Sequence, residues 1–336
     1  MKKRFNQYKN TGLSALLALI LFSACKKEEL RSKELVVYMQ GDKSSLTKST
    51  LMPFVHTPLS VEGNTTKELY IYATREVAAD IMINVGADLS AVDAYNAQNG
   101  TKFLPMPATA FRIVSSGPYT IPAGATRSTS PIQIEITDAA ALNDPKGYIL
   151  PVGITKVESK DKGVQTSTTH RLVFVNVTYE FNNIQRNQTA SASTPLARTG
   201  WSVTVSNTTS GAPATNLLDG SNSTVWRSSN SSTAAKWVIV NMGSAQTVNG
   251  FVISPNYTST SENATSMLIA TSNDNVTWTE QGRWTGTGPA TGTSAAAPDF
   301  KGVNFISPIT AQYVRFTITA QTSTSRVGMA EINAIP

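Results

Sequence analysis

Residues 131–137 read Pro-Ile-Gln-Ile-Glu-Ile-Thr. Ile132, Ile134 and Ile136 fall on one side of an extended chain and Gln133 and Glu135 on the other, the period of a strand with one buried face. Outward from this stretch, short runs of β-branched and aromatic residues alternating with polar ones recur every ten to fifteen residues or about that, and helical periodicity is almost absent. In the first half the pattern predicts strands at Leu35 to Gln40, Glu68 to Ala73, Asp80 to Val85, Phe111 to Val114, Pro131 to Thr137, Tyr148 to Val157 and Arg171 to Tyr179. Ala91 to Gln98 is the exception, read as a helical turn or two ended by Asn99-Gly100, where glycine supplies the left-handed cap. In the second half strands are predicted at Ser202 to Ser206, Trp237 to Asn241, Val248 to Ser254, Ser266 to Thr271, Trp278 to Trp284, Gly302 to Ile306, Tyr313 to Thr319 and Gly328 to Ile335. The chain is therefore expected to be all-β.

Seven strands in the first half suggest an immunoglobulin-like β-sandwich, and eight in the second a β-sandwich jelly roll. The polar stretch NNIQRNQTASASTP between them lacks apolar rhythm and reads as a linker. The expected boundaries are residues 35–180, 181–195 and 196–336. Trp226, Trp237, Phe251, Trp278 and Phe316 are expected in the second core, and Arg315 stacked or paired at a sheet surface.

The N-terminus reads as a leader. Lys2, Lys3, Arg4 and Lys9 precede an apolar run from Leu13 to Phe22, and Ser23-Ala24-Cys25 follows, ending in the chain's single cysteine. The run is too short to cross a bilayer core of about 30 Å and has the layout of a cleaved secretory signal over residues 1–24. Of the 28 basic residues in a chain of net charge +6, the four in this leader go with it, leaving 24 against 22 acidic, nearly neutral. With no basic stripe interleaved with aromatics, nucleic acid is not an expected partner. No cysteine is left for disulfides, so each domain must be held by burial or by a metal.

Phe22-Ser23-Ala24-Cys25 resembles the bacterial lipobox, which implies lipidation at Cys25 and a membrane anchor. Residues 25–34 then form a tether. Its Lys26-Lys27-Glu28-Glu29 resembles the export signal of Bacteroidetes surface lipoproteins and equally suits a solvated spacer. The resemblance implies an outer-membrane, lipid-anchored, cell-surface protein, with glycan-uptake proteins as possible partners. The phrases VDAYNAQNGTKFLPMP, YTIPAGAT and YILPVGI resemble a domain of unknown function that precedes glycan-binding or glycan-cleaving modules in such lipoproteins. That domain names no active residues and is expected to act as a spacer or interaction module. The ordered series NLLDGSNSTVW, KWVIVNMG, VNGFVIS, ATSNDNVTW, AQYVRF and MAEI is similar to the discoidin, or coagulation factor type C, domain, whose bacterial members commonly bind sugars.

Calcium takes six to eight oxygens at about 2.3–2.6 Å. Asp219 and Glu331 supply two carboxylates, Gly220 permits a sharp turn, and Ser221 and Thr224 add oxygens. Calcium-binding relatives of the resemblance complete the shell with carbonyls that fall here on Asn216 and Ala330. The expectation is a structural calcium ion; the alternative is an Asp-capped turn with Glu331 exposed. The resemblance also places glycan recognition on loops at one end of the jelly roll, which assigns Arg227, Asn256, Tyr257, Asn263 and Arg326. Many relatives carry arginine where this chain has Asn256 and an aromatic near Ser325; Tyr257 could supply the missing stacking face.

Catalysis finds little support. The two histidines, His56 and His170, both lie in the first half without a motif, and Asp274 in SNDNVTW is explained by a hairpin turn. The expected function is a non-catalytic surface lipoprotein that binds glycan through its C-terminal domain. The alternatives are an adhesion or assembly module for a protein partner and a diverged glycoside hydrolase.

Overall fold

A computed structural model describes residues 34–41, 46–323 and 325–336. The leader, Cys25 and all but the last residue of the tether lie outside the described residues. Among those described, no helix is long and apolar enough to cross a membrane.

The N-terminal domain is a two-sheet sandwich. A five-stranded sheet runs in the order Gln165–Thr166, Val36–Gln40, Thr66–Ala73, Ile132–Ile136, Phe111–Ile113. The facing sheet runs Val61–Gly63, Ser49–His56, Leu172–Phe181, Tyr148–Ser159, Ile81–Ala87, Tyr119–Ile121, with Leu104–Pro105 added beside Tyr148–Ser159. Ile132, Ile134 and Ile136 are buried in one core with Met39, Phe54, Leu69, Ile83 and Val175, as their spacing predicts. The helix spans Val92–Asn99 and ends at Gly100 with φ 64°. The longest strand that sequence reading misses is Ser49–His56; the short strands Val61–Gly63, Leu104–Pro105, Tyr119–Ile121 and Gln165–Thr166 are missed as well. Ser49–His56 pairs in parallel with Leu172–Phe181, and Pro53, which has no N–H to donate, sits within it opposite Thr178.

In the second domain, four predicted strands merge into two long ribbons, Lys236–Pro255 and Lys301–Gln321. Their register shifts between Asn241 and Gln246 and between Val248 and Gly250, so each ribbon bends and serves both layers. One layer pairs Ser202–Val205, the first half of Lys236–Pro255, the second half of Lys301–Gln321, Ala264–Ser272 and Thr279–Thr285. The other pairs the second half of Lys236–Pro255 with Gly328–Ile335, which also takes Trp226–Arg227. Trp226, Phe251 and Phe316 fill the core between them, with Phe251 edge-on to Phe305 and Phe316 at 6.3 and 5.2 Å.

Three expectations need correction. Trp237 is only half-buried, because Lys236, Val238 and Val240 take the inward positions of that strand. Trp278 lies outside the core, its ring under the Arg315 guanidinium at 4.4 Å, which is the surface stack expected of Arg315. The segment read as a linker is built into the second domain. Ile184 is buried in that domain's core, Ile184 and Thr189 bridge Phe305 and Lys301, and Asn183 exchanges backbone bonds with Gln281 and Ile306. The stretch carries amides and hydroxyls because it is an edge segment whose exposed side needs no apolar residue. On the other side of the junction, the Asn182 amide donates to the His56 carbonyl.

Candidate functional site

The short helix Ala214–Leu218 buries Leu217 and delivers Asp219 to the surface, and Gly220, at φ 85°, turns the chain back. Glu331 enters from the middle of Gly328–Ile335 and is 3% exposed. Its Oε1 accepts the amides of Gly220 and Ser221 at 2.5 and 3.0 Å, and its Oε2 accepts from the Arg198 guanidinium. Asp219 accepts the Ser221 amide at 2.9 Å through Oδ1 and the Thr224 hydroxyl at 2.7 Å through Oδ2. Two carboxylates separated by more than a hundred residues therefore meet, and Glu331 is enclosed rather than exposed. Burial, the largest influence, pushes the Glu331 carboxyl above its usual range, and contact with Asp219 adds to the rise against the pull of Arg198. Burial also pushes Asp219 up, but the Thr224 hydroxyl and Ser221 amide outweigh it and hold that carboxyl low.

This cluster contains two acids and one guanidinium. Its possible ligands are hard oxygens, and two carboxylates in contact against a single arginine are one positive charge short, a donor set and charge that suit a calcium-type ion, although each carboxylate oxygen already accepts from a protein donor. No group of three or more His, Cys, Asp or Glu side chains placed to hold a metal ion occurs among the described residues. Asn216 reaches elsewhere with its side chain, donating to the Val225 carbonyl at 2.9 Å, and Ala330 is fully buried, so each could contribute only its backbone oxygen.

Three residues before Glu331 the same strand begins at Gly328, beside Arg227. Arg227 makes a two-pronged ion pair with Glu262, Nε to Oε2 at 2.7 Å and Nη2 to Oε1 at 2.6 Å. The hydrogen bonds to Glu262 raise the guanidinium's already high pKa further. Asn256 and Asn263 do not offer their amides to a ligand. Asn256 is fully buried and its Oδ1 accepts from the Thr258 amide and hydroxyl and the Ser259 amide at 2.7–3.1 Å. Asn263 is buried and its side chain bonds the Asn256 amide and the carbonyls of Asn256 and Thr260. Together they fold the loop, which corrects their assignment as sugar donors. Gly328 lies against this pair, since a Cβ there would meet Asn256 Nδ2 at 2.5 Å.

Tyr257 remains half-buried at the loop surface, its hydroxyl accepting the Asp299 amide at 2.6 Å; burial raises its pKa. Arg326 is half-buried, and its Nε is enclosed without a hydrogen-bond partner among the described residues. Arg227, Tyr257 and Arg326 are each half-buried, with Arg227 paired to Gly328 and Arg326 two residues before it. The structure adds Glu262, Arg198 and Asp299, which sequence reasoning did not assign. A lone acid in the loop that also carries Asn256 and Asn263 was a legible hint for Glu262. Arg198 gave no hint, because nothing in its neighbourhood pairs it with a residue 133 positions later.

The sequence model of the F5/8 type C domain matches residues 202–332, and a second model, for an N-terminal domain, matches residues 31–161. No curated protein matches the chain. Among solved structures, a two-domain protein from Bacteroides fragilis is 15% identical over 98% of this chain and 100% of that one, with a TM-score of 0.59, so the two-domain fold is shared. A family 32 carbohydrate-binding module from a Clostridium perfringens glycoside hydrolase is 22% identical over 42% of this chain and 94% of that one, TM-score 0.37. A chitosan-binding module from Paenibacillus is 27% identical over 41% and 96%, TM-score 0.32. Two β-sandwiches in series, the second similar to the F5/8 type C, or discoidin, domain, are thus what this chain is built from.

Proposed function

We propose that the chain is a non-catalytic, lipid-anchored surface protein that holds a glycan at the loop mouth of its C-terminal domain, on a rim braced by calcium. The observation that carries this is the arrangement at the start of the last strand. Arg326, half-buried with its Nε enclosed and unpartnered among the described residues, precedes Gly328 by two positions, and onto Gly328 pack Arg227 of the Arg227–Glu262 pair and Asn256, the neighbour of the half-buried Tyr257. An aromatic next to fixed, hydrogen-bonding ions is what a pyranose needs, since one face is C–H and the edge is hydroxyl. Arg326 and the outer edge of Glu262 bind hydroxyls, and Tyr257 takes the ring face.

Calcium, when bound, supplies positive charge that offsets the second carboxylate of the clamp. Asp219, Thr224 and Glu331 would hold it through side chains, with the carbonyls of Asn216, Ser221 and Ala330. Because Glu331 and Arg227 attach to the same short strand, fixing one fixes the other. The carboxylates are all engaged in structure or ion pairs around this mouth, which supports a binder over a hydrolase.

The test is calorimetry of the mature ectodomain against galactose, GalNAc-β-1,3-galactose, chitosan oligomers and pectin, the ligands named for solved modules of similar fold. At least one is expected to bind, and Arg326→Ala and Tyr257→Ala each to weaken it about tenfold, measured at a temperature where melting shows both variants folded. Recovery of a protein partner with no affinity for any glycan would overturn the reading in favour of adhesion, and turnover of an oligosaccharide would overturn its non-catalytic part.

A further inference from the structure

Phe300 is 38% exposed and is the one aromatic among the large hydrophobic side chains exposed in the described residues. It lines a hollow of about 510 Å³ together with Asn187, Gln188, Asp299 and Lys301. The walls are held firmly. Lys301 Nζ pairs with Asp299 Oδ2 at 2.8 Å, and that oxygen also accepts the Ala290 amide. The opposite wall is the junction segment, pinned by the Gly302 amide to the Gln188 carbonyl and by Asn304 Nδ2 to the carbonyls of Asn187 and Thr189 at 3.0 Å. Gly302 permits this approach, since a Cβ there would lie 2.4 Å from the Thr189 oxygen.

We infer that this hollow is a second glycan subsite, which extends the loop mouth toward the domain junction and takes a neutral sugar unit. The inference rests on the glycan-binding reading above. Its chemistry differs from that of the mouth. One exposed aromatic face sits among amides and a self-neutralised Asp–Lys pair, a lining that offers donors and acceptors but no net charge to attract an anion. The volume lies within the range of small-molecule sites. The two places are linked through one residue, since the Tyr257 hydroxyl accepts the amide of Asp299. A linear oligosaccharide that engages Tyr257 from the mouth side would carry its next units onto Phe300. Asn187 and Gln188, in a segment that reads as a spacer, become ligand-facing because that segment is an edge of the second domain.

The experiment is calorimetry with neutral β-linked glucan, galactan and N-acetylglucosamine oligomers of one to six units. The wild-type chain is compared with Phe300→Ala, Phe300→Tyr and Arg326→Ala, each first checked by thermal melting. Affinity for the wild type is expected to rise with oligomer length. Phe300→Ala should remove about tenfold of the affinity for long oligomers while leaving single units unchanged, and Phe300→Tyr should restore it. If Phe300→Ala binds every length like the wild type while Arg326→Ala loses them all, the second subsite is refuted and the mouth stands. If the wild type binds no oligomer, both fall.

Discussion

The clamp and the mouth each set a buried glutamate against an arginine, yet they are balanced differently. At the mouth Arg227 and Glu262 meet one to one, through two parallel bonds of 2.6 and 2.7 Å, and the pair neutralises itself. At the clamp Arg198 faces Glu331 with Asp219 in contact behind it, so two negative groups share one positive one. The difference is one of charge balance, and the calcium proposed above is assigned to the cluster left one positive charge short. A buried carboxylate with its own guanidinium is complete, and one that must share is not. Burial holds Glu331 above its usual pKa, and the contact with Asp219 adds to that rise.

The comparison breaks most visibly if Glu331 is neutralised. Glu331→Gln leaves Arg198 half-enclosed without its counter-charge and withdraws the acceptor of two loop amides, so stability should fall by about 3–5 kcal/mol in urea unfolding. An unchanged midpoint would mean that the clamp carries no stability. The corresponding change at the mouth, Glu262→Gln, should cost less, about 2–3 kcal/mol, because Arg227 is 28% exposed and water can reach it. Its stability loss should be the same with and without calcium, whereas that of Glu331→Gln should grow when calcium is present. Loss of the loop fold in Asn256→Ala, about 2 kcal/mol, would show that the mouth depends on its buried amide as well as on its ion pair.

The smallest expected effect lies away from both places and serves as a control. Asp274 accepts the Val276 and Thr277 amides and the Ser272 hydroxyl, which hold its carboxyl down to about 2. Because the folded value lies below the ordinary 3.8, the turn's contribution is present above that value and is lost as pH falls toward about 2. Carboxyl chemical shifts titrated by NMR should show Asp274 as a late-protonating group. A midpoint near 4 would contradict it.

The periodicity of Ile132, Ile134 and Ile136 was enough for an all-β chain, and Asn99-Gly100 located the end of the helix within a residue. The convergence of Asp219 with Glu331 was also legible, because an acidic Gly-turned loop and a carboxylate on the terminal strand belong to one pattern of motifs. What stayed hidden depended on pairing. Ser49–His56 contains a proline and reads as irregular until its parallel neighbour Leu172–Phe181 is known. Residues 183–190 look like a linker because their only large apolar residue is Ile184, and their partners lie about a hundred positions or more away, at Gln281 and in the Lys301–Gln321 ribbon. Asn256 and Asn263 have the composition of sugar donors, yet a buried asparagine amide is equally a loop brace. Only burial tells the two apart.

The most direct measurement is a calcium titration of the metal-stripped ectodomain, followed by calorimetry and by Tm, for the wild type, Glu331→Gln and Glu262→Gln. The wild type and Glu262→Gln are predicted to bind one calcium ion per chain and to gain Tm by several degrees on the order expected for a ligand in large excess over its Kd, while Glu331→Gln binds none. Equal behaviour of all three proteins, whether they all bind or all fail to bind, would contradict the account that the shared pair of acids is where the rim is braced.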